Sequence, residues 1–542
     1  MHKDYPVYTR NDIEDIISRN PQYEEYLFAR GYLITNDPHI RAEGYPFAGE
    51  WASYDLGLYR AFVHPKEKFS VVSNEGVTVG LIGHCVNPYA MQWEEVPILH
   101  DCLSAYRAGV SLFEEKIGEL TGAFIIFVLD DNGIRFYTDA CSMKTCSYCE
   151  NSGYIYMSSH TQLIADMVNL PMTTYARKLR TSRMYNVGFR WLPGITTPYA
   201  SVFRLGPNYA LVHKEDTLQA RRFFPSKKHY ELENGEYDAA AETIALILEK
   251  TLRLYLKKWP RCAISLTGGL DSKTTFSCAK DCLDTVKIFS FCCKESERAD
   301  SKVAARICKR LEIPHIEYQI PDENSAVTGF DELKIIIDHN TAYTMNLSDH
   351  EIRKIIYFTA IDDYDVEIKS DVAEIGRVFY EQKYGMKMPT ILNARECSVM
   401  QTRFFMMPRL LRETDKQYES YLQFAGLSGM QQFNYENADL LYWELRIGAA
   451  TAMTTLSLSL SSYITFPYNN RNLIEMFLEY PHELRVSDWP QRKIIAEKMP
   501  WLLEPEYAVN NQYFGRRRKL MEKAYFTYKT ALYNIIHRKQ LR

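Results

Sequence analysis

Arg261-Cys-Ala-Ile-Ser-Leu-Thr-Gly-Gly-Leu-Asp-Ser-Lys-Thr-Thr-Phe276 is the stretch whose reading decides the fold. Cys262 to Leu266 is an apolar run with the length of one buried strand in a parallel sheet. It breaks at Thr267-Gly268-Gly269, and Ser272 to Lys280 reads as the first turns of a helix. A strand, a tight glycine turn and a helix start form an anion cradle. Glycine lets the backbone come close to phosphate, and the free N–H groups of the first helical turn point at it. Thr267 and Ser272 add hydroxyls, and Asp271 is a carboxylate placed to hold a magnesium ion between phosphate oxygens. The pattern is not G-x-x-x-x-G-K-[ST], because Thr267 and Ser272 stand at both glycine positions before Lys273-Thr274. A two-glycine turn alone would fit any α/β domain, but the whole run Gly268 to Ser272 after an apolar strand is more specific.

That run resembles the S-G-G-x-D-S pyrophosphate loop of enzymes that cleave ATP to AMP and pyrophosphate. It is most similar to the asparagine synthetase form, with Thr267 in place of the first Ser. The resemblance implies that Thr267, Gly268, Gly269, Leu270, Asp271 and Ser272 bind ATP and that Mg2+ accompanies it. After the loop, Val286 to Cys292 reads as a second buried strand and Ile316 to Ile320 as a third, with a helix opened by Glu295-Ser-Glu-Arg-Ala-Asp-Ser between them. Strands alternating with helices predict a doubly wound parallel sheet, with ligands at the carboxyl ends of its strands. In the resembling family the end of the second strand borders the adenine, which implies Ser290 to Cys292 here. Asp300 matches a family Asp expected to be structural or substrate-facing.

The chain has 542 residues, more than one hydrophobic core carries, so two or three domains are expected. A net charge of −4 provides no basic field for nucleic acid or an anionic membrane. Tyr, at 39 residues, suits a carbohydrate- or peptide-facing surface. The 12 cysteines follow no disulfide-like spacing and Met1-His-Lys-Asp lacks a secretory apolar region, so reduced thiols and a cytoplasmic location are expected. Ile447 to Asn470 is uncharged, but its Thr and Ser content reads as a buried helix followed by a polar segment and not as a membrane span.

Residues 1–213 carry short alternating apolar runs, with Asp131-Asn-Gly133 as a hairpin turn and Ile98 to Ile117 as one long helix. A mainly antiparallel α+β domain is predicted there. Leu120 to Asp130 followed by Phe136-Tyr-Thr-Asp139 resembles the class II glutamine amidotransferase domain, an Ntn-hydrolase-like fold. That family needs a cysteine at position 2, and here position 2 is His2 and the first cysteine is Cys85. The expectation is therefore the fold without glutaminase chemistry. Cys141, Cys146 and Cys149 form a C-x4-C-x2-C cluster open to a metal or redox reading, with packing as the default.

Residues 214–542 are read as the ATP-binding synthetase-like domain, entered through a hinge at 214–235 and a helix from Tyr237 to Lys258. Val366 to Tyr380 is a second strand end meeting polar residues. The family has S-G-E-G-S-D-E-x-x-G-G-Y here. Glu374 and Tyr380 keep its Asp-to-Tyr spacing, which implies Glu374 as second magnesium ligand and Ser370 beside the nucleotide. Asp371 falls at the family's amine-side Glu and would act with Tyr380, although matching Ser370-Asp371 to the family's S-D would make Asp371 the metal ligand. A capped helix start is the plainer alternative. In Gln491 to Pro500 the resemblance implies a lysine that steadies the leaving pyrophosphate. Asp488 stands in its place, so Lys493, or Arg492, is expected to supply that charge. The basic tail from Arg516 reads as a solvated face.

The activity implied is an ATP-dependent carbon–nitrogen ligase that adenylates a small carboxylate such as aspartate, or a larger acid or peptide. It would release AMP and pyrophosphate and take nitrogen from ammonia or an amine. Alternatives are a specialised cyclase or amide ligase of a secondary-metabolite, peptide or glycan pathway, as in the lasso-peptide cyclases of this family, and a nucleotide-binding pseudoenzyme. Expected partners are small molecules, with no nucleic acid and no membrane, and a homodimer is allowed.

Overall fold

The computed structural model describes residues 5–47, 50–187, 190–292, 294–401, 407–509 and 515–538. His2 lies outside them. The N-terminal part holds two six-stranded antiparallel sheets. One runs Phe203–Arg204, Ser147–Asn151, Tyr154–Ser158, Tyr32–Thr35, Tyr59–Val63, Ala52–Leu56, and the other Thr217–Arg222, Tyr209–Lys214, Gly133–Thr138, Thr121–Asp130, Val77–Val86, Phe69–Asn74. Tyr54 of the first sheet stacks on Phe69 of the second at 4.2 Å between ring centres. The Asp131-Asn-Gly133 turn closes its hairpin as the sequence predicts. The long helix expected over 98–117 is two helices, Glu95–Ala108 and Val110–Gly118, because Gly109 takes φ 153° between them.

The C-terminal part is organised on a five-stranded parallel sheet. Its strands are β1 (Cys262–Ser265), β2 (Lys287–Cys292), β3 (Ile316–Gln319), β4 (Val366–Ile368) and β5 (Tyr463–Thr465), in spatial order β3-β2-β1-β4-β5. Every neighbouring pair is parallel. The fold is thus mixed α/β, a doubly wound parallel sheet following antiparallel sheets. The order reverses between β1 and β4, so the loops leaving these two strands diverge and open a crevice. β5 lies in the stretch expected to be a polar segment. Its Thr465 and the preceding Ser462 are buried, and burial by the sheet overrides their polarity.

The two parts share one core: Phe127, Tyr255, Phe276 and Trp443 belong to a single buried apolar cluster. Polar ties cross the same seam. Trp443 Nε1 donates to the Ala140 carbonyl at 2.7 Å, and Asn469 Nδ2 donates to Asp139 Oδ1 at 2.8 Å. Asp139 also accepts from the N–H groups of Phe124, Cys141, Met143 and Lys144, so its fully buried carboxylate ties a knot in the chain. Glu444, on a π-helical turn Tyr442–Thr451, accepts from Asn208, Tyr209, Tyr421 and Arg222. The boundary expected at 213 falls inside the hairpin Tyr209–Lys214/Thr217–Arg222, so the antiparallel sheets run on to Arg222. Cys141, Cys146 and Cys149 are buried free thiols. Among the described residues no cluster of three or more His, Cys, Asp or Glu able to hold a metal occurs. Among the described residues no helix is long and apolar enough to cross a membrane.

Two outcomes test this seam. Glu444→Ala leaves the Arg222 guanidinium, only 12% exposed, without its carboxylate. We expect a loss of about 3–5 kcal/mol, read as a large downward shift of the denaturation midpoint. Glu479 follows the helix Arg471–Leu478, and its carbonyl accepts from Leu232 N–H in the linker at 2.8 Å. Burial, with Glu475 nearby, pushes its carboxyl up to about 7 from the ordinary 4.5. Stability from the neutral form is complete below the unfolded value and is lost as pH rises through 7. Glu479→Gln should therefore raise Tm at pH 8 and change it little at pH 5.

Candidate active site

The loop leaving β1 is held in shape by its own side chains. Thr267 and Ser272 hydroxyls lie 2.9 Å apart, and Ser272 Oγ accepts from Thr267 N–H at 3.3 Å. Thr267 Oγ1 accepts from Gly269 N–H at 3.2 Å. Gly269 caps the helix Leu270–Cys278, whose first N–H groups have no acceptor within the helix. A Cβ on Gly268 would sit 2.2 Å from Val509 Cγ2, so only glycine fits beneath the chain that crosses the loop there. Gly268 N–H donates to Asp300 Oδ1 at 2.9 Å. Asp300 is thus a loop-shaping residue, and an incoming phosphate would compete with it for that N–H.

β4 delivers the opposite wall. Ser370 Oγ lies 2.7 Å from Thr275 Oγ1 on the loop helix, which brings the turn Asp371–Arg377 against the loop. Arg377 Nη1 donates to Asp271 Oδ2 at 2.8 Å. The same guanidinium grips Asp488 from two nitrogens, Nε to Oδ1 at 2.8 Å and Nη2 to Oδ2 at 3.1 Å. Asp271 is 17% exposed, and its other oxygen, Oδ1, is buried without a partner. Burial raises the Asp271 carboxyl to about 6; Arg377 opposes this, and Glu374 and Asp488 add to it. Glu374 accepts a short hydrogen bond from the Tyr442 hydroxyl.

These residues fit a divalent ion. Asp271 Oδ1 is an orphaned buried acceptor, and Glu374 is close enough to raise its pKa, a repulsion that a cation between them would remove. Asp271 and Glu374 suit an ion held mostly by phosphate oxygens and water.

Not every expected residue converges. Lys493 is at the surface, bonded to Asp238 at 3.0 Å and Glu497 at 3.1 Å. Five residues of helix carry it about 140° round from Asp488, away from the loop. Arg492 does not touch the loop acid either. It lies near Lys273, whose pKa falls through burial first and Arg492 second. Lys273 turns its back on the loop and donates to the carbonyls of Leu502 at 3.0 Å and Tyr507 at 3.3 Å. Asp371 is exposed, whereas Tyr380 is buried against Tyr442 with its hydroxyl unpartnered. Asp371 and Tyr380 thus lie in different environments, and Glu374 is a carboxylate whose charge acts on Asp271. Ser290 sits on β2 with its hydroxyl on Ser301 at 2.9 Å and His315 Nε2 at 2.8 Å. Sequence reasoning missed Arg377. The one available signal was the sign reversal at Asp488, since a carboxylate where a cation is expected asks for a cation from elsewhere.

Residues 243–356 match a family model described as asparagine synthase. No curated protein matches the sequence. Among solved structures, the chain is similar to one titled as the allosteric regulatory enzyme of purine biosynthesis, at 10% identity and a TM-score of 0.23, covering 56% of this chain and 62% of that one. It is also similar to glutamine phosphoribosylpyrophosphate amidotransferase from B. subtilis, complexed with ADP and GMP, at 9% identity and a TM-score of 0.21, covering 76% of this chain and 78% of that one. Neither likeness bears on what this chain does. The family match spans the helix Tyr237–Lys258 from residue 243, the phosphate loop, β2, Asp300 and β3, and stops before Ser370. Residues 243–356 are thus similar to the asparagine synthase family model.

Proposed function

We propose that this chain is an ATP-dependent carbon–nitrogen ligase that joins a carboxylate to ammonia or an amine through an acyl-adenylate, releasing pyrophosphate and then AMP. The observation that carries this reading is the loop Thr267–Ser272 at the switch point of the parallel sheet, inside the asparagine synthase match, with Asp271 Oδ1 open beside Glu374. ATP lies with its phosphates along the loop and the first turn of Leu270–Cys278, and Ser272 and Thr267 orient them. Asp271 and Glu374 would hold a magnesium ion, which would supply positive charge to the phosphates. A substrate carboxylate oxygen attacks the α-phosphorus, and the bond to pyrophosphate breaks. The amine then attacks the acyl carbon and AMP leaves. In this reading residues before the linker form an amidotransferase-like unit without glutaminase chemistry, and nitrogen comes from solution.

A second reading is a protein that binds nucleotide without ligating. The exposure of Asp371 while Tyr380 is buried, and the pairing of Lys493 with Asp238, favour it.

ATP–pyrophosphate exchange across aspartate and larger carboxylates separates the two. A ligase exchanges label with one acid. Asp271→Asn should lower that exchange by roughly 100-fold, as expected for loss of one charge-stabilising group. ATP binding with no exchange for any acid, and no effect of Asp271→Asn, would support the second reading.

A further inference from the structure

Three carboxylates, Asp271, Glu374 and Asp488, gather on one side of the phosphate loop, and Asp300 holds Gly268 N–H on another. A polyphosphate entering this crevice meets like charge, so a cation must stand at the loop for it to stay. Lys273 faces backbone carbonyls, Lys493 is paired at the surface, and Lys369 pairs with Glu367 at 2.9 Å. Among the described residues, Arg377 is the cation bonded to the loop acid Asp271.

The way Arg377 is held matters more than its presence. Its Nε and Nη2 are fixed on the two oxygens of Asp488, which sets the plane of the guanidinium. Asp488 is fixed in turn, since Gln382 Nε2 donates to its Oδ1 at 3.0 Å and to the Val486 carbonyl at 3.2 Å. Of the five guanidinium N–H groups, these bonds and the one to Asp271 use three, leaving one on Nη1 and one on Nη2 beside the loop acid. Both backbones that carry the pair sit in the left-handed region. Asp488 has φ 59°, and Val378, a β-branched residue next to Arg377, has φ 48°. Such conformations persist where the surroundings enforce them. A carboxylate near a phosphate site would ordinarily weaken it. Bonded face-on to Arg377, Asp488 is neutralised and orients the fork instead.

We propose that Arg377 is the phosphate-binding cation of this site, contacting the pyrophosphate as it departs, and that Asp488, held by Gln382, is the residue that positions it. The inference rests on the ligase reading. It assigns the charge expected from the helix at Lys493 to a residue 106 positions from Asp271 in the chain.

Isothermal titration of the full chain with inorganic pyrophosphate and magnesium, with ATP and magnesium, and with AMP tests it. The unaltered protein should bind all three. Arg377→Lys, which keeps the charge and loses the fork, should weaken pyrophosphate binding by at least about ten-fold while AMP, lacking those phosphates, shifts less than about two-fold. Asp488→Asn should weaken pyrophosphate binding in the unaltered background and add nothing further in Arg377→Met. If Arg377→Met fails to fold, Arg377→Lys and the double variant Arg377→Lys/Asp488→Asn decide in its place. No binding of ATP by the unaltered protein would overturn the ligase reading and this inference with it. ATP binding together with unchanged pyrophosphate affinity in Arg377→Lys would overturn this inference alone. An Asp488→Asn effect that persists in full without the Arg377 fork would remove its positioning role.

Discussion

The guanidinium of Arg377 lies between Asp271 and Asp488, and the arrangement of the crevice depends on that ion triad. Asp271 comes from the loop after β1, Arg377 from the turn after β4, and Asp488 from the cap of a helix more than a hundred residues later. Each is placed by a different element, so the triad forms only when the parallel sheet, the loop helix and the late helix are all in register. Removing the cation would leave two largely buried carboxylates facing each other and Glu374, a cost of several kcal/mol where no counter-ion is supplied. Burial keeps the Asp271 carboxyl raised despite its ion pair, and Glu374 and Asp488 nearby add to it.

The seam between the antiparallel and parallel sheets secures this geometry from behind. Glu444 gathers four donors from both sides, and Asp139 binds the turn after Thr138 to Asn469, just beyond β5. The structure gives the segment Asp139-Ala-Cys-Ser a structural task. Backbone N–H groups and one amide satisfy a carboxylate that has no access to water. Tyr442 and Glu444 leave the same π-helical turn towards different targets, one to Glu374 at the crevice and the other to Arg222 at the seam.

The legible parts of the chain were those whose physics is local. The phosphate loop could be read because an apolar strand, two glycines and a helix start are contiguous, and β2 and β3 because each is an apolar run between turn signals. The hairpin at Asp131-Asn-Gly133 and the helix Tyr237–Lys258 follow for the same reason. β5 was not legible, since Ser and Thr dominate its neighbourhood and only burial beside β4 makes it a strand. The break at Gly109 is a single-residue event inside an apolar periodic stretch. Lys493 is near Asp488 in sequence but not in space, since helix phase turns it outward to Asp238. Arg377 was invisible for the converse reason: its partners are 106 and 111 residues away, and no local pattern encodes that pairing.

In the proposed ligase this crevice holds a magnesium nucleotide on the loop Thr267–Ser272. A crystal structure of the protein with magnesium and an ATP analogue that resists cleavage between its α- and β-phosphates is the direct test. The expected result is phosphate oxygens on the first-turn N–H groups of Leu270–Cys278, the metal on Asp271 Oδ1 with Glu374 opposite, and Gly268 N–H released from Asp300. Nucleotide bound elsewhere, or a loop unchanged with Asp300 still on Gly268 and no metal at Asp271, would contradict it.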